Sequence, residues 1–197
     1  MEAIMARETS VVTPERFQQG FSYSTYIEQI KVNKARFEEF YRFQVKPEDA
    51  AALKELVAHP NGPAKMLVLG EDWCGDVIRG MPMLARVAEA AGLEMSIFPR
   101  DDHHDIMNEF LKNGEWMSIP VAVFYTKDHE YICHWIERPA SAEREIEEIG
   151  EAIRAENPDI DEQEFGRERR TRTAARSADW QQDSVTELRE LLAASIK

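Results

Sequence analysis

Apolar positions recur at helical spacing through the first third of the chain. A short helix is predicted to begin after Thr13, because a threonine N-cap followed by a proline suits a first helical turn. A longer helix is predicted from about Thr25, which has capping-box spacing to Glu28. Its apolar face contains residues three, four and seven positions apart, namely Tyr23, Ile27, Ile30, Phe37 and Tyr41. A further helix is predicted from Pro47, and the turn-forming run at residues 59–63 ends this segment.

The hydrophobic period then changes. Residues 66–69 form a wholly apolar run, typical of a strand that is covered on both faces. The pattern next predicts a helix over 75–91, a strand over 94–98, a helix over 102–111 and strands over 121–125 and 131–136. A last helix of this series is predicted from about Ser141. The order β-α-β-α-β-β-α predicts one α/β core.

From about residue 157 the chain is polar and highly charged. Its end is predicted to be helical, because Ser184 and Glu187 have capping-box spacing ahead of a periodic apolar stretch. The pattern therefore divides the chain into an N-terminal helical extension (1–63), an α/β domain (64–156) and a charged C-terminal helical tail (157–197).

The charge balance narrows the range of partners. The 197 residues carry a formal net charge of −13, which disfavours non-specific binding to nucleic acid or to an anionic membrane. No apolar run approaches the length of a membrane span, and residues 1–16 lack the apolar stretch of a secretory signal. We therefore expect a protein without nucleic-acid or membrane partners. Its oligomeric state does not follow from the sequence.

Cysteine usage points to a reducing compartment. Only Cys74 and Cys133 occur, which excludes a disulfide framework and favours the cytoplasm. Cys74 follows a predicted buried strand and precedes a predicted amphipathic helix. Backbone N–H groups and the helix dipole at such a terminus stabilise a thiolate. The alternative is a packed cysteine that acts as a small hydrophobe. The position of Cys74 in the sequence does not by itself favour one interpretation over the other.

Three landmarks of the α/β segment resemble the thioredoxin family. Trp73-Cys74-Gly75 is similar to the start of its W-C-G-P-C motif, and Pro82 stands where the family has a kinking proline in the following helix. Ile119-Pro120 resembles the family's cis-proline loop. The resemblance covers roughly residues 64–156, and the stretch E-D-W-C-G-D at 71–76 is similar to that of a bacterial branch of thioredoxin-like proteins.

The resemblance implies a three-layer α/β/α sandwich with Cys74 as the attacking thiol. It also implies that Trp73 flanks the sulfur and that Gly75 and Asp76 supply backbone N–H groups to it. Ile119 and Pro120 hold the backbone of the partner. The partner is then a protein disulfide or a low-molecular-weight thiol, and the resemblance implies no cofactor.

The departures from the family motif limit this chemistry. Val77 stands in place of the second, resolving cysteine, and Asp76 replaces the central proline. Val68 replaces the buried aspartate that accepts a proton in the resolving step. The leading hypothesis is therefore a monothiol redox protein. The alternative is a redox-inactive thioredoxin-fold module that binds proteins. A carrier of a cluster or of glutathione is disfavoured, because such proteins show C-G-F-S where this chain has C-G-D-V.

Two sets of polar residues in the α/β segment can be interpreted in two ways. Glu71, Asp72 and Asp76 would raise the pKa of the thiol if they face it, or else they belong to a solvated loop. Residues 101–105, D-D-H-H-D, contain ligand types that several metals accept, but adjacent histidines diverge on a helix and no metal site is expected.

The remaining candidates lie outside the motif. Cys133 could resolve a mixed disulfide on Cys74 only if the two Cα atoms came within about 7 Å. The family resemblance implies an edge strand away from the Cys74 helix terminus, so Cys133 is predicted to pack in that strand. Five arginines between 167 and 176 form a basic cluster that either pairs with the protein's own acids or docks an acidic partner or a phosphate. These are Arg167, Arg169, Arg170, Arg172 and Arg176.

Overall fold

A computed structural model describes residues 10–196 of the chain. Its sheet has the order β2-β1-β3-β4, with β1 and β2 parallel and the other pairs antiparallel. The strands are β1 (Lys65–Gly70), β2 (Glu94–Pro99), β3 (Val121–Tyr125) and β4 (Tyr131–Ile136). All of β3 and nearly all of β1 are buried. The predicted order of elements is confirmed, and β1 and β3 form the centre of the sheet.

Helices cover both faces of this sheet. Helix α5 (Gly75–Ala91) connects β1 to β2 and ends at Gly92, whose φ of 83° is one that glycine adopts readily. It lies so close to the sheet that a Cβ on Gly70 would meet the Met81 side chain at 2.6 Å. On the other face, α1 (Pro14–Phe17) is tied to β2, because Ser96 donates a hydrogen bond to the Phe17 carbonyl. The fold is therefore the expected three-layer α/β/α sandwich.

The N-terminal extension differs from its prediction. The single helix expected from Thr25 is two helices, α2 (Tyr23–Gln29) and α3 (Lys34–Phe40). Ser22 caps α2, because its hydroxyl accepts the Thr25 N–H at 3.3 Å. The chain breaks between the helices because the Asp72 carboxylate accepts the N–H groups of Lys31 and Val32, at 2.8 and 3.2 Å. A further helix, α4 (Pro47–Ala58), begins at the expected proline.

The helix predicted over 102–111 is wrong in length. Helix α6 (His104–Met107) is one turn long, after a 3-10 turn over Arg100–Asp102. Beyond it the chain forms turns with hydrogen bonds between residues three positions apart: the N–H groups of Glu109 and Phe110 donate to the carbonyls of Ile106 and Met107. The apolar residues still reach the core, since Ile106, Met107 and Phe110 are buried.

The C-terminal region forms α7 (Ala140–Glu156), α8 (Glu162–Ala175) and α9 (Ser177–Ser195). Neither Ser141 nor Ser184, the two serines at which these helices were predicted to begin, is an N-cap residue. Pro139 is the N-cap residue of α7, and Ser184 lies inside α9, where its hydroxyl donates to the Trp180 carbonyl. Helix α9 packs on α4, α5 and β4. Its buried Val185, Leu188 and Leu192 belong to the same core cluster as the sheet.

No helix among residues 10–196 is long and apolar enough to cross a membrane. The signal-sequence expectation concerns residues 1–16, of which 1–9 lie outside the described part of the chain.

Candidate functional site

Cys74 lies where β1 gives way to α5. It is the N-cap residue of α5, and its side chain makes no capping hydrogen bond. Its Sγ lies 3.8 Å from the carbonyl oxygen of Ile119, within range of a weak thiol donor. Cys74 is a partly exposed residue, and a Cβ added to the neighbouring Gly75 would meet nothing within 4 Å. The first turn of α5 next to Cys74 is therefore open at Gly75.

The loop before β3 forms the second wall of the site. The Ile119–Pro120 peptide bond is cis. Pro120 packs on α5 beside Gly80, where an added Cβ would lie 3.1 Å from the proline Cγ. The Pro120 carbonyl accepts the N–H of Glu137 at 2.7 Å. Glu137 holds a φ of 71°, which is uncommon for a residue with a side chain. Helix α5 and the turn after β4 thus hold this loop from two sides.

The surroundings of Cys74 favour its neutral form. Burial raises the pKa of the Cys74 thiol and is the largest influence on it. The backbone N–H groups of Val77 and Asp76 at the helix terminus oppose this and lower the pKa, while the carboxylates of Asp76 and Glu137 raise it further. The net pKa lies above the ordinary cysteine value, so the helix terminus does not outweigh burial.

An ionic network begins at Asp76, two residues after Cys74. Asp76 is paired with Arg79 and with Arg138, whose Nη2 lies 2.7 Å from its Oδ2. Arg138 also pairs with Glu137, which lies 2.9 Å from the Lys112 amine. Burial would raise the pKa of Glu137, but Lys112 and Arg138 hold it below its usual value. The acidic charge nearest to Cys74 is therefore largely compensated.

An apolar rim borders the site. Trp73, Trp116 and Met117 are exposed by 53%, 60% and 39%. Arg100 joins two of them, because its guanidinium lies 5.0 Å from the Trp73 ring centroid and donates to the Met117 carbonyl. Exposed large apolar side chains in one neighbourhood are typical of contact surfaces.

The other acids of the predicted motif have structural partners. Asp72 holds the α2–α3 connection, as described above, and its carbonyl accepts from the Asn33 amide at 2.9 Å. Glu71 accepts the N–H of Asp101 at 2.7 Å, and burial raises its pKa. Neither carboxylate acts on the thiol as Asp76 does. Both residues are partly exposed, and each carboxylate also bonds to another segment of the chain.

Cys133 lies in the edge strand, buried and paired with Phe124. It is three residues from Ile136, which pairs beside the Pro120 loop, so about 10 Å of strand separates it from that end. Neither cysteine forms a disulfide. For residues 101–105, His103 is the N-cap residue of α6. Within residues 10–196 no group of three or more His, Cys, Asp or Glu is placed to hold a metal.

The basic cluster divides into two groups. Arg172 and Arg176 pair with acids of α7 and with acids close to them in the chain. Arg169 and Arg170 instead line a cavity of about 440 Å³ that opens at the N-terminal end of α5. Gly75 and Asp76 also line this cavity, together with Arg36, Arg79 and Arg138.

Trp73, Cys74, Gly75, Asp76 and Val77 lie together where α5 begins, with the Ile119 carbonyl beside the Cys74 sulfur and Pro120 packed on α5. Sequence reasoning missed Arg79, Arg138, Glu137 and Lys112, because two of the pairs that join them, Arg138 with Asp76 and Lys112 with Glu137, connect distant segments. The other two pairs are local: Asp76 and Arg79 have i,i+3 spacing, and Glu137 and Arg138 are adjacent.

Comparisons with known proteins agree with this architecture. A family profile described as Thioredoxin matches residues 20–154. A protein of unknown function from Pseudomonas aeruginosa is 16% identical, with a TM-score of 0.61, over 93% of this chain and 98% of that one. An HIV epitope-scaffold is 14% identical, with a TM-score of 0.64, over 91% and 96%. No curated protein matches the chain. At these identities the solved structures share the fold.

Proposed function

Since the matched residues are more than half of its length, the chain belongs to the thioredoxin family, and we propose that it is a monothiol redox protein acting through Cys74. One observation carries this proposal. Cys74 is a partly exposed residue at the N-cap of α5, and its sulfur lies 3.8 Å from the carbonyl oxygen that precedes the cis-proline. A partner chain lying along that loop would place its own sulfur in front of Cys74.

The reaction is thiol–disulfide exchange in two steps. The Cys74 thiolate attacks one sulfur of a disulfide, a mixed disulfide forms, and the other sulfur leaves as a thiolate. A low-molecular-weight thiol, the reductant, then attacks the mixed disulfide, releases Cys74 as a thiolate and becomes oxidised to a disulfide with the former substrate. Val77 cannot perform this second step, so the external thiol is required.

The roles of the surrounding residues follow from their positions. Trp73, Trp116 and Met117 would contact the apolar part of a partner beside the sulfur. Ile119 and Pro120 would present backbone to it. The stretch Glu71 to Asp76 supports placement in the bacterial E-D-W-C-G-D branch of the family. The cytoplasm is the compartment that suits two cysteines without a disulfide.

The second candidate is a redox-inactive module that binds proteins through the same face. It is favoured by the raised pKa of the Cys74 thiol, which keeps the nucleophilic form scarce near neutral pH. The exposed apolar rim serves either function.

Mixed-disulfide trapping separates the two candidates. The Cys133→Ser protein, reduced and folded, is incubated at pH 8 with hydroxyethyl disulfide and analysed by intact mass spectrometry. We expect one adduct on Cys74 that an added monothiol removes, and none in the Cys74→Ser, Cys133→Ser double variant. If Cys74 reacts only after unfolding in denaturant, the redox proposal is wrong and the binding module is the better account.

A further inference from the structure

A basic cavity stands out in this acidic chain. Five arginines line it, contributed by α3, α5, α8 and the turn after β4, against a single lining carboxylate, that of Asp76. The lining side chains therefore carry a formal charge of about +4 (five minus one), whereas the whole chain carries −13. The arginines are Arg36, Arg79, Arg138, Arg169 and Arg170.

Three of these arginines lack a counter-charge. Arg79 and Arg138 pair with Asp76, but none of Arg36, Arg169 and Arg170 forms a salt bridge within residues 10–196. Arg172 in α8 and Arg176 at its C-terminal end differ in this respect, because each forms ion pairs with two acids. Guanidinium groups gathered in a concave site attract anions from solution.

The walls suit a small organic molecule. The volume of about 440 Å³ lies within the usual range of small-molecule sites and far exceeds that of a single inorganic ion. Phe40, Ile146 and Trp180 supply apolar surface. Guanidinium groups bind carboxylate and phosphate in paired hydrogen bonds.

We propose that this cavity binds a small organic anion with at least two carboxylate or phosphate groups. Arg36 from α3 and Arg170 from α8 would hold the anionic groups, while Gly75 and Asp76 place the ligand at the end of α5 that begins after Cys74. The inference does not depend on the redox proposal, because no lining residue is the thiol itself.

The test compares two double variants of equal charge by isothermal titration calorimetry at fixed ionic strength. Arg36→Gln with Arg170→Gln removes two unpaired, exposed arginines of the cavity. Lys34→Gln with Arg167→Gln removes two cations from the same helices that do not line it. The probes are citrate for the carboxylate class and ATP without metal for the phosphate class.

We expect saturable 1:1 binding of at least one probe to the wild type. Arg36→Gln with Arg170→Gln should weaken it by at least about tenfold, and the Lys34→Gln with Arg167→Gln control by less than about threefold. The preferred probe identifies the class of anion. Absence of saturable binding by either probe, or equal weakening in both double variants, would overturn the inference.

A second readout does not require the variants. In ¹⁵N-labelled wild-type protein the amide signals of Gly75, Thr173 and Ala174, which line the cavity, should shift on addition of the bound probe. Shifts confined to other surfaces would contradict the assignment. Cys74→Ser should bind the probe as the wild type does, so failure of the redox proposal leaves this result standing.

Discussion

The chemistry of Cys74 results from opposing influences on one sulfur atom. The helix terminus supplies N–H groups from Asp76 and Val77, as its position in the sequence suggests, but burial and the carboxylates of Asp76 and Glu137 have the larger combined effect. A thiol whose pKa is raised releases its proton only as the pH rises above the ordinary cysteine value of about 8.5. The thiolate is therefore a minor species near neutral pH.

Replacing Asp76 tests this balance. Asp76→Asn removes a carboxylate close to the thiol, leaves Arg79 without its acidic partner and leaves Arg138 paired with Glu137 alone, so the pKa of Cys74 should fall. In a Cys133→Ser background we expect the alkylation rate of Cys74 at pH 7 to rise severalfold and its pH profile to move to lower pH. The measurement is the rate of iodoacetamide labelling against pH.

Glu71→Gln is the matched control for that experiment. It neutralises a carboxylate three residues before Cys74, but one that is bonded to the Asp101 N–H and does not act on the thiol. Its pH profile should coincide with that of the Cys133→Ser protein. Equal shifts in both variants would mean that overall charge, rather than Asp76, governs the thiol.

At the scale of elements, the loop before Cys74 is joined to the N-terminal helices. Asp72 accepts two N–H groups from the chain between α2 and α3, and Asn33 donates to the Asp72 carbonyl. These bonds span about 40 positions of sequence. The N-terminal extension therefore contributes directly to the conformation of the loop that carries the thiol.

Asp72→Ala should reveal this connection. The substitution removes the carboxylate that accepts two exposed N–H groups, which water can partly satisfy in its place. We therefore expect the free energy of unfolding to fall by about 1–2 kcal/mol. Asp72→Asn keeps one acceptor oxygen and should fall between Asp72→Ala and the wild type. Urea denaturation measures the three proteins. An unchanged midpoint in Asp72→Ala would show that these bonds add nothing to stability.

Elements with strong local signals were predictable. Helix α5 matched its predicted limits because an apolar stripe runs along it and Gly92 closes it. The break between α2 and α3 was not predictable, since it depends on Asp72, which is distant in sequence. The same reason applies to the site: the Trp-Cys-Gly stretch is local, whereas the arginine-lined cavity gathers residues from 36 to 170.

For the whole molecule, the C-terminal tail is part of the core. Trp180, Val185 and Leu188 of α9 are buried. The buried Asp49 of α4 is paired with Arg189 and accepts from Gln182. Gln181 donates to the Arg79 carbonyl at 3.1 Å. Helix α9 therefore stabilises the sheet domain, although the composition of the predicted tail resembles that of a solvated appendage.

Leu188→Ala should cost about 2–5 kcal/mol of stability, because it leaves a cavity at a fully buried position. Leu191, in the next turn of α9 and only partly buried, provides the control. Leu191→Ala should cost less than half as much. Equal and small losses in both variants, measured by urea denaturation, would indicate that α9 does not pack as described.

The residues that line the cavity are far apart in the sequence, so they are synthesised at different times. A ribosome makes Cys74 about 95 residues before Arg169 and more than a hundred before Trp180. A growing chain therefore carries its thiol before the helices that enclose the neighbouring cavity exist. Any anion held there can accompany the thiol only in the finished protein, because α8 and α9 supply part of the cavity wall.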